Sequence, residues 1–95
     1  MALFVLTCFD KPDSLDLRMA TREQHLAFIA ANREAIRTAG PFLNEAGDMV
    51  GSMLVLEAAD LEAAAALAAQ DPYADAGLFE STTLRPWRMA VGAFA

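Results

Sequence analysis

The stretch Pro41–Glu57, PFLNEAGDMVGSMLVLE, decides the fold. Its second half, Val50–Glu57, is rich in apolar and β-branched residues and reads as a strand. Pro41–Ala46 reads as a weaker strand, and Gly47-Asp48 supplies the turn between them. The two runs therefore form a hairpin. Upstream lie a strand over Leu3–Phe9 (LFVLTCF), a loop broken by Pro12, and a helix opening at Thr21. Thr21 and Gln24 match a capping box, and Gly40-Pro41 is a helix stop. Downstream, Asp60 caps an alanine-rich helix, Leu61–Gln70, which stops at Asp71-Pro72 because a residue before proline is pushed out of the helical region. A turn or short helical piece, YADAGLF, leads to a last strand, Thr82–Val91, with Pro86 marking it as a sheet edge.

A hairpin between two helices, with a strand at each end, gives the order β-α-β-β-α-β. That is the ferredoxin-like arrangement, an α+β fold. Right-handed crossovers favour an antiparallel sheet ordered 4-1-3-2 with both helices on one face. The chain of 95 residues reads as one domain, 1–95. The first and third strands are apolar on both parities: Leu3, Val5 and Phe9 alternate with Phe4, Leu6 and Cys8, and Met53 and Val55 with Leu54 and Leu56. A strand of that kind is buried on both faces. Helices cover only one, so the expectation is a homodimer in which two sheets face each other, a dimeric α/β barrel.

Composition narrows the function. The formal net charge is -6 with only seven Lys and Arg, which argues against nucleic acid or an anionic membrane surface as partner. The apolar start lacks a positive region and a cleavage pattern, so the expectation is a first strand and not a signal peptide. No apolar run reaches the ~20 residues of a membrane helix. A cytoplasmic protein is expected. One cysteine excludes an intrachain disulfide, and one histidine with it gives no metal-ligand spacing. No metal and no cofactor are expected, and Cys8 is expected to be a buried thiol.

Topology singles out the candidate residues. The exit of the first strand, the first turn of the first helix, the start of the third strand and the end of the second helix all meet at one end. This gathers His25, Asp71, Ser52, Arg22 and Tyr73. His25 shares a helical stripe with Phe28, Ile29 and Asn32 and so faces the sheet. In a first turn the helix dipole would favour its neutral, base-competent ring. A carboxylate partner such as Asp71 would fix the tautomer. Asp71 is otherwise a common stop before proline, and a carboxylate is a mild misfit at a helix C-terminus. Arg22, at i, i+3 from His25, could hold an anionic group. Ser52 and Tyr73 would line the same pocket, or simply fill and pack.

Five segments occur in the order and spacing of the YCII-related (YciI-like) family, and the chain resembles that family over nearly its whole length. They are REQHL (22–26), AGP (39–41), GSMLVLE (51–57), DPYADAGLF (71–79) and RPW (85–87). The resemblance implies a ferredoxin-like fold, a dimeric α/β barrel and a relationship to muconolactone-isomerase-like proteins. It also implies that His25 and Asp71 form the active-site pair, with Ser52 nearby. One branch of the family is linked to elimination of chloride from chlorinated hydroxyquinols. Two readings follow. The first is an enzyme in which His25 and Asp71 perform cofactor-independent isomerisation or elimination on a small metabolite, with aromatic and enol-bearing ones as the candidates. The second is a non-catalytic metabolite-binding or assembly module on the same barrel. A hydrogen-bonded His25–Asp71 pair beside an open cavity favours the first, and a sealed pair the second.

Overall fold

The computed structural model describes residues 1–94; Ala95, the end of the expected domain, lies outside them. The elements are β1 (Ala2–Asp10), α1 (Leu15–Ala31), β2 (Ile36–Leu43), β3 (Met49–Ala58), α2 (Leu61–Ala68), α3 (Pro72–Asp75) and β4 (Phe79–Trp87). All strand pairs are antiparallel, in the order β2-β3-β1-β4. This is the ferredoxin-like sheet expected from the hairpin. Both edge strands carry a proline, Pro41 in β2 and Pro86 in β4, where a missing N–H costs no ladder bond.

The helix boundaries differ from the expectation. α1 begins at Leu15, six residues before Thr21, and Thr21 is buried within it. Its buried stripe is Arg18, Thr21 and His25, polar side chains that hydrophobic periodicity does not register. The helix ends at Ala31, not at Gly40-Pro41. Asn32 stops it, with its Nδ2 donating to the Phe28 carbonyl at 2.9 Å. Gly40 and Pro41 instead lie inside β2, so that strand spans Ile36–Leu43 where Pro41–Ala46 was expected. Ile36 is buried and pairs with Leu56, which draws the segment into the sheet despite helix-compatible neighbours. β4 likewise starts and ends earlier than the expected Thr82–Val91.

The hairpin turn matches its sequence. Asn44 Oδ1 accepts from the Asp48 amide at 3.0 Å, and Gly47 adopts φ 89°. Asp60 caps α2 by accepting from the Ala63 amide at 2.8 Å. α2 ends at Ala68 rather than Gln70. Asp71 therefore does not close α2. It N-caps α3, accepting from the Tyr73 amide at 2.9 Å, with Pro72 in the first turn. A carboxylate is favourable there, so the apparent misfit of Asp71 at a helix C-terminus disappears.

The core lies between the sheet and the helices. It is built from Phe4, Leu6 and Cys8 of β1 and Leu54, Leu56 and Ala58 of β3, with Ile36 and Ala64. Phe28, Ile29 and Leu67 pack on it from the helices. Each large apolar side chain buried here contributes about 1.5–3 kcal/mol. On the other face of the sheet, Phe9, Met53 and Trp87 remain 48%, 37% and 42% exposed. Phe9 and Phe42 stack there with ring centroids 5.6 Å apart.

Gly51 marks where that face comes closest to its neighbours. A Cβ at this position would meet the Cys8 carbonyl oxygen at 2.5 Å and the Phe42 ring at 3.1 Å, whereas one at Gly40 meets nothing within 4 Å. Gly51→Ala should cost about 1–3 kcal/mol, the usual range for overpacking, and Gly40→Ala less than about 0.5 kcal/mol. Urea unfolding of the two variants checks the contrast.

Candidate functional site

Three α1 side chains, Arg18, Arg22 and His25, follow one another at i, i+4 and i+7 and so share one side of the helix. They face the mouth of the β2–β3 hairpin on one side and the α2–α3 turn on the other. The early start of α1 changes which of them meets the sheet. Arg18, only 2% exposed, reaches the exit of β1 and the start of β3. Its Nε donates to Asp10 Oδ2 at 2.7 Å and its Nη2 to Asp10 Oδ1 at 2.9 Å, a bidentate pair. Nη2 also donates to Ser52 Oγ at 2.8 Å. Burial works against the guanidinium's charge, but Asp10 outweighs it and holds the Arg18 pKa above its ordinary value.

The second cluster is built on the α2–α3 turn. Asp71 is 1% exposed. Its Oδ1 accepts from the Tyr73 amide and from His25 Nδ1, the latter at 2.8 Å. Asp71 Oδ2 has no hydrogen-bond partner, alone among the buried side-chain nitrogens and oxygens of the described residues. With the carboxylate as acceptor, Nδ1 carries a proton. His25 Nε2 makes no hydrogen bond among the described residues, yet it is not one of those sealed atoms, so it stands open to its surroundings.

Tyr73 joins the two clusters. Its ring stacks on His25 with centroids 4.0 Å apart, and the Arg18 guanidinium carbon lies 4.6 Å from its centroid. Phe79 meets it edge-on at 6.1 Å.

These groups border a cavity of about 210 Å³ between α1 and the β2–β3 hairpin. Arg18, Arg22, His25, Ser52 and Tyr73 are its polar lining, and Leu26, Ile29, Pro41 and Leu54 are among its apolar walls. No Asp or Glu lines it. Asp10 neutralises Arg18 behind the wall, so Arg22 is the lining charge that makes no ion pair among the described residues. Cys8, paired in the sheet with Ser52, is 1% exposed. Burial, and then the Asp71 carboxylate, push its thiol up to about 12, so it stays protonated and unreactive at neutral pH.

Of the five residues singled out in the sequence, the structure brings His25, Asp71 and Tyr73 into contact and places Ser52 and Arg22 on the same cavity. His25 lies in the third turn of α1, not the first, so the helix dipole is not what sets its state. Ser52 is held by Arg18, and Arg22 is exposed and makes no ion pair among the described residues. Arg18 and Asp10 were missed. The i, i+4, i+7 spacing of Arg18, Arg22 and His25 is the signal that could have found Arg18. Topology already puts Asp10, at the exit of the first strand, at this end of the domain, but nothing in the sequence singles it out as the partner of Arg18.

This α+β sheet with a buried carboxylate–histidine pair under one helix defines a ferredoxin-like protein with a small internal site. The chain belongs to the YCII-related domain family, whose sequence pattern matches residues 2–88. It is 37% identical over 94 residues to Protein YciI of Escherichia coli, covering 90% of this chain and 96% of that one. It is 38% identical over 96 residues to an uncharacterised protein of Haemophilus influenzae, covering 90% and 95%. Among solved structures it is similar to 5-chloro-2-hydroxyhydroquinone dehydrochlorinase (TftG) of Burkholderia phenoliruptrix in complex with 2,5-dihydroxybenzoquinone. That match has a TM-score of 0.85 and 32% identity, and covers 90% of this chain and 93% of the other. An antibiotic biosynthesis monooxygenase at 12% identity and a TM-score of 0.58 shares the fold alone.

The Arg18–Asp10 pair is buried, while Arg37–Glu57, with Nη1 and Oε1 at 2.5 Å, sits on the partly exposed sheet face. Asp10→Asn should destabilise the protein by about 3–5 kcal/mol, because it strands a buried cation. Glu57→Gln should cost less than about 1 kcal/mol. Thermal or denaturant unfolding of both variants measures the difference.

Proposed function

We propose that the protein is a small enzyme of cofactor-independent acid–base chemistry, an isomerase or a lyase, acting on an anionic, ring-sized metabolite. One observation carries this reading: His25 Nδ1 bonds Asp71 at 2.8 Å while Nε2 is left open beside a cavity. A histidine serving only to fill the core would have both nitrogens satisfied or sealed. In this reading Asp71 orients His25 and keeps Nδ1 protonated, so Nε2 takes and returns a proton. Positioned groups of this kind typically give ~10²–10⁴-fold in rate. Arg22 at the cavity's exposed side pairs with the substrate's anionic group. Ser52 and Tyr73 complete the lining.

The substrate class rests on the lining and on the relative. The cavity holds two guanidiniums and no carboxylate, and its size admits about one ring. The similar dehydrochlorinase acts on a hydroxylated chloroarene, by its name, and binds a dihydroxyquinone. Elimination or isomerisation through an enol or enolate would need only the proton transfers that His25 can supply. A cytoplasmic location belongs to the same reading. So does a homodimer through the uncovered sheet face, since Phe9, Met53 and Trp87 leave an apolar surface that a second sheet would bury.

A thermal-shift screen of small aromatic and lactone metabolites tests the reading, beginning with 2,5-dihydroxybenzoquinone and 5-chloro-2-hydroxyhydroquinone. A bound compound should raise Tm in the wild type. His25→Gln, which keeps a donor for Asp71, should retain its circular dichroism at some loss of Tm, yet turn over any substrate at least ~10²-fold more slowly. Unchanged turnover in the folded variant would contradict the role given to His25.

A further inference from the structure

We propose that Tyr73 is the second proton-handling group of this pocket. Its phenol donates to the substrate oxygen that gains charge as His25 removes a proton. The inference rests on the acid–base reading above and adds a residue that packing alone would explain as a filler.

Tyr73 is placed too well for a flexible lid residue and is too polar for its packing role. Its amide is fixed by Asp71 and its backbone follows Pro72 at the start of α3. Its ring is held by His25, Phe79 and Arg18. The residue is 1% exposed. A phenylalanine would make every one of those ring contacts. Buried tyrosines normally tie the hydroxyl to a protein acceptor. Here the polar neighbour of the phenol oxygen is the Arg18 guanidinium, which donates to it and cannot accept from it, so the O–H has no acceptor among the described residues, and the residue lines the cavity. The hydroxyl is therefore available to whatever enters.

The charges around it suit a donor. Arg18, Arg22 and His25 face it from α1, Asp71 from its own turn, and Ser52 from β3, while Asp10 of β1 compensates Arg18. Burial raises the phenol's pKa, and Arg18 and Arg22 pull it back. At neutral pH the group keeps its proton, and Arg22, which makes no ion pair among the described residues, stands ready for the charge that builds beside it.

The step balances without a further reactant. The C–H bond next to a substrate carbonyl breaks and its proton goes to His25 Nε2. The electron pair becomes a carbon–carbon double bond, and the carbonyl π pair moves onto oxygen, which accepts the Tyr73 O–H. In an isomerisation His25 returns the proton to another carbon and the carbonyl re-forms. In an elimination the oxygen's pair re-forms the carbonyl, the shifted carbon–carbon pair expels the leaving group as an anion, His25 releases its proton to solvent, and Tyr73 keeps its own. The stacked rings present Nε2 and the phenol from one platform, an arrangement that costs no reorganisation during the reaction.

Tyr73→Phe removes the hydroxyl and keeps the ring. Titration with 2,5-dihydroxybenzoquinone, followed by its visible absorbance, should show wild-type binding. The variant should bind about 10- to 100-fold more weakly, the worth of a hydrogen bond to a charged group. With a turned-over substrate, kcat should fall by ~10²-fold or more while KM changes much less. Its Tm should stay within a few degrees of wild type. Binding and turnover within about twofold of wild type would overturn the role of Tyr73 and leave the reading of His25 standing. A wild type that binds neither the quinone nor 5-chloro-2-hydroxyhydroquinone would overturn both.

Discussion

A carboxylate that leaves water must be met by donors, and the fold of this chain is arranged to meet Asp71. One donor is local: the Tyr73 amide, at the start of a helix that Asp71 itself caps. The other is distant in sequence: His25 Nδ1, on the longest helix of the domain. The bond between them pins the α2–α3 turn to α1, because the buried Asp71 has no water to exchange its partner for. It also fixes the histidine tautomer and directs Nε2 outward. In the proposed enzyme, stability and chemistry are the same interaction seen from two sides. The unpartnered Oδ2 shows the cost left in place: half of the carboxylate is buried without compensation, and such a group persists in native structures when something else holds it.

The second buried charge does parallel work at the other end of the same stripe. Arg18 gathers Asp10 from β1, Ser52 from β3 and the Tyr73 ring into one network. Removed from water, it is stabilised only by this full set of partners. It leaves its neighbour Arg22 as the free cation at the cavity, in a chain whose overall charge is negative. The anion proposed as ligand would meet one of two arginines that lie on successive turns of one helix. One is spent on holding the walls together and one is available to a ligand.

Most of the fold was legible in the sequence, because the pattern that encodes a sheet is apolar and periodic. β1, β3, the Gly47 turn and the Asp60 cap lie within a residue or two of where their sequences place them. α1 was not legible at either end, for two physical reasons. Its buried face is Arg18, Thr21 and His25, so the helix could not be traced by hydrophobic spacing. Its continuation past Asn32 is cut by strand pairing at Ile36, a tertiary effect that overrides local propensity. The site was legible as a place before it was legible as a set of contacts. Topology alone brought His25, Asp71, Ser52 and Tyr73 to one end. Arg18 escaped because the helix seemed to begin after it, and Asp71 seemed to end one helix when it begins the next.

The central claim is that Asp71 holds His25 with its proton on Nδ1 and its lone pair on Nε2. The chain has a single histidine, so ¹⁵N-labelled protein gives one imidazole to follow by long-range ¹H–¹⁵N correlation. At a pH where the ring is neutral, the account predicts Nδ1 protonated and Nε2 bare, with the preference lost in Asp71→Asn. A ring protonated on Nε2, or one averaging between the two tautomers as free imidazole does, would contradict it.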